Sequence, residues 1–287
     1  MRPIASLLLL TLLCATLLNG CSRATLVYRN LDMVVPWTLN DYLDLDNRQK
    51  DELRERLREH LAWHCSTQLP ELLANLEQLE RETAGGQLDR RDLEPQYRDV
   101  REAMHSIAVE ITPTATDLLR ALSDEQVAEL RNALEENREE YREKYLAPPL
   151  ERQIRERAER MQERLQYWLG QLNAAQRQRV LLWSHALNEQ NSRWLGNRER
   201  WQELLLAAVE QRHRDDFDDR IAQLLQEREA LLSTNDQAAL QRAEQAGLDL
   251  VADLYSLADK GQRTHLSGRL AQLRTDFGDL KCLAPTA

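Results

Sequence analysis

The chain has 287 residues, 48 acidic side chains against 38 basic ones, and a formal net charge of −10. Repulsion between so acidic a body and nucleic acid or an anionic lipid surface excludes both as main ligands. The length is sufficient to bury one core or two adjoining cores.

The first residues have the pattern of a secretory signal. Arg2 supplies a positive charge, and residues 4–18 form an apolar stretch too short for a comfortable membrane span. Leu18-Asn19-Gly20-Cys21 resembles a bacterial lipobox, which implies that Cys21 is diacylated. The same resemblance implies that Ser22, in place of an aspartate after the cysteine, favours sorting to the outer membrane. The alternative is an ordinary signal peptide with an incidental cysteine.

This N-terminal pattern predicts three regions. Residues 1–20 are a lipoprotein signal peptide, residues 21–27 are a short membrane tether, and residues 28–287 are a helical domain. The domain would lie at the periplasmic face of the cell envelope, with its lipid anchor in what we expect to be the outer membrane. Pro148-Pro149 ends one helical pattern, so two halves of the domain could meet there.

Nearly every segment after residue 28 has helical periodicity. The pattern between residues 150 and 172 is the cleanest, because its apolar residues recur in steps of three and four. Another stripe contains Tyr97, Val100, Met104, Ile107 and Ile111, and it predicts a core-facing helix that stops before Pro113. No segment alternates like a strand. The sequence therefore predicts an all-α fold, an antiparallel array or bundle of long amphipathic helices.

One kind of helix start occurs at least three times. In each copy a leucine precedes a capping residue, and a glutamine three residues after the cap can bond back to the cap's backbone N–H. A looser version spans residues 232–237. The three copies consist of Leu45, Asp46 and Gln49; Leu122, Ser123 and Gln126; and Leu172, Asn173 and Gln176.

Of the three cysteines in the predicted mature chain, two remain once Cys21 is assigned to the lipid. In an oxidising compartment Cys65 and Cys282 are first interpreted as a disulfide that would attach the C-terminal tail to a long helix. The alternative is two free thiols in unrelated places.

The search for catalytic chemistry gives no convincing constellation. His60 and His64 share a helix face and could chelate zinc, but Leu61 stands where a zinc-protease helix carries its glutamate. Two Glu-x-x-His spacings, at residues 102–105 and 210–213, and the aspartates of residues 215–219 fit metal sites poorly. We therefore expect no metal, no cofactor and no catalytic residue.

Tryptophan is concentrated in one third of the chain. These side chains are either core anchors or part of an exposed apolar groove for a partner. They are Trp168, Trp183, Trp194 and Trp201.

Two resemblances to known families follow from these motifs. The helix starts at residues 122–126 and 172–176 look like the L-T-x-x-Q signature of small periplasmic stress proteins of the Spy and CpxP type, which implies a helical cradle that holds unfolding clients without ATP. Over most of its length, the chain resembles an uncharacterised family of Gram-negative lipoproteins. The supporting residues are Tyr28-Arg29-Asn30-Leu31-Asp32, Pro36-Trp37, Asp41-Tyr42 and Trp63-His64-Cys65, with a cysteine near the C-terminus.

The function that we predict is non-catalytic binding at the envelope, either chaperone-like or in envelope stress, with unfolded or envelope proteins as clients. A structural or assembly partner of an envelope complex is the alternative, and an enzyme with no recognisable motif is a more remote one. The sequence implies a lipid anchor and no nucleic acid partner. It leaves the oligomeric state and the identity of any client open.

Overall fold

The computed structural model describes Tyr28, residues 30–86 and residues 88–280. These residues form ten α-helices and one 3₁₀ turn, with no strand among them, so the predicted all-α fold is confirmed. The helices are α1 (Leu31–Leu43), α2 (Asn47–Ala84), α3 (Arg90–Arg120), α4 (Asp124–Tyr145), α5 (Leu150–Leu169), α6 (Ala174–Leu187), α7 (Gln190–Val209), α8 (Phe217–Gln226), the 3₁₀ turn (Arg228–Leu231), α9 (Thr234–Ser256) and α10 (Lys260–Gly278).

The predicted signal peptide, the predicted tether with Cys21, and Cys282 lie outside the described residues. Within the described ranges, no helix combines the length and the apolar character that a membrane span requires.

The helices form two packed groups that the long helices α2 and α3 connect. In the first group α1 contacts α2 and α4, while α7 contacts α4 and α8. In the second group α6 contacts α5 and α9, and α10 contacts α5. Helix α3 packs on both α8 and α9, and α2 packs on both α1 and α10. The two longest helices therefore belong to both groups.

Each group has its own apolar core cluster. The first contains Leu53, Val127 and Val209, and the second contains Val180 and Leu250. Leu53 and Val127 precede Pro148-Pro149 and Val209 follows it, so the first cluster contains residues from both sides of the proline pair. The proline pair itself lies in the short connection between α4 and α5.

Helix α3 does not stop before Pro113, so that boundary prediction was wrong. The helix continues to Arg120 although Pro113 has no N–H to donate to the preceding turn. Tertiary packing compensates for this loss, because α8 lies against this part of α3. At the contact, the buried Thr112 donates to the Ala108 carbonyl at 2.6 Å and accepts from Gln226 Nε2 at 3.0 Å.

The apolar stripe at the start of α3 is only partly a core stripe. Val100 is 56% exposed and Met104 is 61% exposed, whereas Ile107 is half-buried. The expectation of a buried face was wrong for Val100 and Met104. The physical reason is that helical periodicity shows which residues share a face but not how far along the helix a partner extends.

All three helix starts of the leucine–cap–glutamine type form complete capping boxes. The caps are Asp46, Ser123 and Asn173, and in each case the side chain accepts from the backbone N–H of the glutamine three residues later. Each glutamine side chain in turn accepts from the backbone N–H of its cap. Both bonds of each box are therefore made.

Gln49 and Gln126 also bind each other and so join two of these boxes. Gln49 Nε2 donates to Gln126 Oε1 at 3.1 Å, and Gln126 Nε2 donates to Gln49 Oε1 at 2.8 Å. Gln126 also donates to the Asp44 carbonyl, and Gln49 donates to the Ala121 carbonyl. We call this arrangement the first corner pair. It holds the starts of α2 and α4 together.

A second corner pair has the same construction. Its other member, a capping box formed by Asp259 and Gln262 at the start of α10, was not predicted. Gln176 and Gln262 exchange two amide hydrogen bonds of 3.1 and 2.9 Å. The missed box has the same Asp-x-x-Gln spacing as the box at Asp46, but Ala258 takes the place of the leucine. The looser start at Ser233 caps α9 through Asp236 instead.

Candidate functional site

A large apolar cavity is lined mainly by helices of the first group and by α3. Its volume is about 820 Å³, and it is lined by side chains from seven of the ten helices. Protein interiors usually contain few voids larger than a water molecule. The cavity is therefore a feature of the fold and not a packing defect of ordinary size. Six of the helices each contribute a leucine to it: Leu39, Leu57, Leu118, Leu134, Leu205 and Leu225.

The cavity begins where the first core cluster ends. Leu43, Leu53 and Leu130 belong to that cluster and also line the cavity. Farther along, residues such as Leu57 and Leu118 are only half-buried, because one side of each faces the open space. The first core cluster therefore forms one end of the cavity.

His60 is the central polar group of the α2 wall. Its Nδ1 lies 3.0 Å from Glu110 Oε1, and its Nε2 lies 2.8 Å from Thr114 Oγ1. Both ring nitrogens are therefore engaged by side chains of α3. This contact joins α2 to α3 across the cavity wall.

His64 is engaged by a different residue. The Tyr28 hydroxyl lies 2.8 Å from His64 Nδ1, and burial lowers the pKa of His64 below its ordinary value. His64 is therefore mostly neutral near pH 7. His60 and His64 therefore have separate partners, Glu110 and Thr114 for the first and Tyr28 for the second. In the described ranges, no group of three or more His, Cys, Asp or Glu side chains could hold a metal ion.

Arg198 and Gln202 form a second polar region of the cavity, on α7. Both side chains donate to Asn137 Oδ1, from Arg198 Nη2 at 2.7 Å and from Gln202 Nε2 at 3.3 Å. Two of their buried atoms, Arg198 Nε and Gln202 Oε1, have no hydrogen-bond partner among the described residues. An unpartnered buried polar atom costs about 1–3 kcal/mol. A ligand that supplies the missing partners would recover that cost.

A smaller basic pocket adjoins the cavity. Its volume is about 260 Å³, and Arg198 and Trp201 line both spaces. Three further arginines line this pocket, Arg193, Arg200 and Arg228. The Arg228 guanidinium lies over the Trp201 ring, 5.0 Å from its centre. A local concentration of positive charge therefore lies beside the apolar space in a protein that is acidic overall.

Sequence reasoning missed this basic pocket. One signal was available, because Arg193 and Arg200 are seven residues apart and so share a helix face after two turns. Arg228 comes from the 3₁₀ turn, and no local pattern relates that turn to α7. The positive cluster is therefore mainly a product of tertiary packing.

The tryptophans follow both of the predicted interpretations. Trp183 is buried in the second core cluster, as a core anchor should be. Trp201 lines the cavity and donates from its indole N–H to the Leu224 carbonyl at 2.8 Å. Trp194 is 42% exposed and lines the basic pocket.

The other candidate metal-site residues and Cys65 lie outside the cavity. Glu210 pairs with Arg131 at 2.6 Å, and Glu102 and His105 are exposed. Cys65 is buried in a small cluster with Leu69 and Leu280, and Leu280 precedes Cys282 by two residues. The bridge between Cys65 and Cys282 stays a prediction.

The fold and the cavity define an all-helical protein with a ligand-sized apolar space and a basic pocket beside it. Residues 41–237 match the Family of unknown function (DUF6279), and because the match covers more than half of the chain, the protein belongs to this family. The matched span contains the first corner pair and most of the cavity lining. A search of curated proteins gave no match, and a search of solved structures also gave none.

Proposed function

We propose that this protein is a lipid-anchored, non-catalytic binding protein of the periplasmic face of the envelope, and that it binds an apolar chain in the 820 Å³ cavity. The cavity is the observation that supports this function. An apolar cavity of about 150 Å³ already accommodates one benzene molecule, and ligand sites commonly measure about 300–1,000 Å³. The space is therefore large enough for a flexible hydrocarbon chain.

The lining favours binding over catalysis. The polar groups on the α2 wall, His60 and His64, are engaged by Glu110, Thr114 and Tyr28. An acid, a base or a nucleophile in a catalytic arrangement would instead point at a reacting atom. The apolar walls supply binding free energy in proportion to the ligand surface that they remove from water.

A fluorescence titration tests this function. The protein would begin at residue 21 and carry Cys21→Ser, which keeps every described residue, and N-phenyl-1-naphthylamine would serve as a neutral apolar probe. We expect saturable binding of about one probe per chain. Leu118→Trp, which fills part of the cavity, should weaken binding, whereas Leu182→Trp at an exposed position should not. Absence of saturable binding would exclude the cavity as a binding site.

The chaperone-like form of this proposal requires a larger apolar surface than the cavity mouth alone. Exposed apolar side chains on α1 supply a candidate surface, since Trp37 is 71% exposed and Met33 is 56% exposed. An aggregation-suppression assay with an unfolding client tests this form. No protection at stoichiometric amounts would exclude chaperone activity and leave cavity binding unaffected.

A structural or assembly role is the second candidate, and Val100 and Met104 are the observation that favours it. They are exposed apolar residues four positions apart on α3, and therefore neighbours on one helix face. Crosslinking through this face should capture one defined envelope protein. Recovery of many unrelated proteins would argue for a chaperone-like role instead.

A further inference from the structure

The cavity is elongated along two of its helices. On α2 its lining extends from Leu53 to Leu72, which corresponds to about 28 Å at the helical rise of about 1.5 Å per residue. On α3 the lining extends from Ile107 to Leu119, about 18 Å by the same measure. The hydrocarbon core of a bilayer is about 30 Å thick, so one acyl chain occupies about half of that length. The cavity is therefore long enough for one acyl chain.

Positive charge predominates in the basic pocket next to the cavity. The basic pocket contains four arginines and two acids, and both acids already have cationic partners. Asp236 lies 3.6 Å from Arg193, and Glu229 lies 2.5 Å from Arg101, which is outside the pocket. Arg198, Arg200 and Arg228 have no acidic partner among the described residues. Positive charge therefore remains available to a ligand.

Both unpartnered atoms belong to residues that line the cavity, and one of these residues, Arg198, also lines the basic pocket. Arg198 Nε can donate a hydrogen bond, and Gln202 Oε1 can accept one. Gln202 is only 2% exposed, so bulk water does not satisfy its carbonyl. Rotation of these two side chains would let Arg198 Nε donate to an anionic oxygen of a head group and let Gln202 Oε1 accept from a hydroxyl or an acid proton.

We propose that the ligand is a single-chain anionic amphiphile, with its acyl chain in the cavity and its anionic head group at Arg198 and the basic pocket. This inference rests on the proposed function, because it requires the cavity to hold an apolar chain. Arginine suits the head group because its planar guanidinium can bind a carboxylate or a phosphate through two parallel hydrogen bonds.

The acidic net charge of −10 does not oppose this assignment. At physiological ionic strength the Debye length is about 8 Å, so distant surface acids are largely screened. A ligand head group at Arg198 interacts mainly with charges at short range. An extended anionic surface, in contrast, would meet the acidic exterior.

Binding of three probes with one chain length tests the head group. They are palmitate, 1-palmitoyl-lysophosphatidylglycerol and hexadecanol, each measured by displacement of N-phenyl-1-naphthylamine from the protein beginning at residue 21 with Cys21→Ser. We expect at least one anionic probe to bind about tenfold or more tightly than hexadecanol, as expected for a hydrogen bond to a charged group. The two anionic probes distinguish a fatty acid from a single-chain phospholipid.

Arginine variants identify the position of the head group. Arg198→Met should reduce the affinity for the anionic probe about tenfold and leave hexadecanol unchanged. Arg200→Gln is a second test of the head-group position. Arg200 is exposed, so its substitution should not disturb folding even if Arg198→Met does. Arg91→Gln is the matched control, because Arg91 is exposed and, among the residues that the structure describes, its ion-pair partner is Asp89, two positions earlier.

The outcomes separate the two proposals. If hexadecanol and both anionic probes bind equally and the Arg198 and Arg200 variants change nothing, the head-group assignment is wrong and cavity binding stands. If no probe, including N-phenyl-1-naphthylamine, binds saturably, the proposed function is wrong as well. Weaker anionic binding in Arg91→Gln to the same extent would also overturn the assignment.

Discussion

Gln49 and Gln126 exchange two side-chain hydrogen bonds, at 3.1 and 2.8 Å, although they are 77 positions apart in the chain. Each glutamine also closes the capping box of its own helix. The same relationship recurs between Gln176 and Gln262. In each helix group, a pair of glutamines therefore completes two capping boxes and also connects the two helix starts to each other.

Gln49→Ala should lower the free energy of unfolding by about 1–3 kcal/mol. The substitution removes both hydrogen bonds to Gln126, the bond to the Ala121 carbonyl and the side-chain acceptor of the Asp46 backbone N–H. Urea unfolding followed by circular dichroism measures this change. Gln126→Ala and the double variant complete a cycle, in which we expect a coupling of about 0.5–3 kcal/mol. Gln78→Ala on the exposed face of α2 is the control. A coupling of zero would mean that the two corners are independent.

Pro113→Ala should stabilise the protein by about 2–2.6 kcal/mol. Proline in a helix interior is less favourable than alanine by about 3 kcal/mol, and its restriction of the unfolded chain offsets about 0.4–1 kcal/mol of that difference. The substitution restores an N–H donor inside α3. Thermal and urea unfolding both measure the effect. Glu102→Ala, an exposed position on α3 that already has its N–H, should change stability much less, and equal changes in the two variants would contradict this explanation.

Acidification should destabilise the protein through His64. Burial lowers the pKa of His64 below its ordinary value of 6.5, so below about pH 6.5 the unfolded chain binds more protons than the folded one. The free energy of unfolding therefore falls as the pH decreases through this range, until the folded pKa is passed. Urea unfolding at pH 7.5 and 5.5 should show a smaller loss in His64→Gln than in the unsubstituted protein.

The exposed His105 is the control for that measurement. His105→Gln should keep the pH dependence of the unsubstituted protein. If His64→Gln keeps it too, a different group is responsible for the acid sensitivity.

A thiol titration tests the predicted bridge between Cys65 and Cys282. Under denaturing, non-reducing conditions, the protein from residue 21 with Cys21→Ser should show no reactive thiol, and two after reduction. We expect Cys65→Ser to lower the unfolding free energy by about 2–5 kcal/mol in the oxidised protein, a typical value for loss of a native disulfide. Two reactive thiols before reduction would refute the bridge.

Local interactions explain what could be predicted. The all-α class follows from apolar residues spaced three and four apart, and the capping boxes at Asp46, Ser123 and Asn173 follow from bonds between residues three positions apart. The box at Asp259 was missed although its spacing is the same, because the small Ala258 stands where the other copies have a leucine. Features that depend on residues close together in the chain can therefore be predicted from the sequence.

Only the tertiary structure decided which helix faces meet. Gln49 and Gln126 bind each other only because helices distant in the chain pack together, and α3 continues past Pro113 where α8 packs against it. The same packing leaves Val100 and Met104 exposed on α3. The cavity also depends on tertiary structure, because side chains from seven helices line it and no single segment of the chain predicts it. The same applies to the basic pocket, where arginines from α7 and the 3₁₀ turn converge in a chain whose overall charge is negative. Long-range packing creates both features. Sequence periodicity predicts the apolar face of each helix separately and does not predict which faces meet.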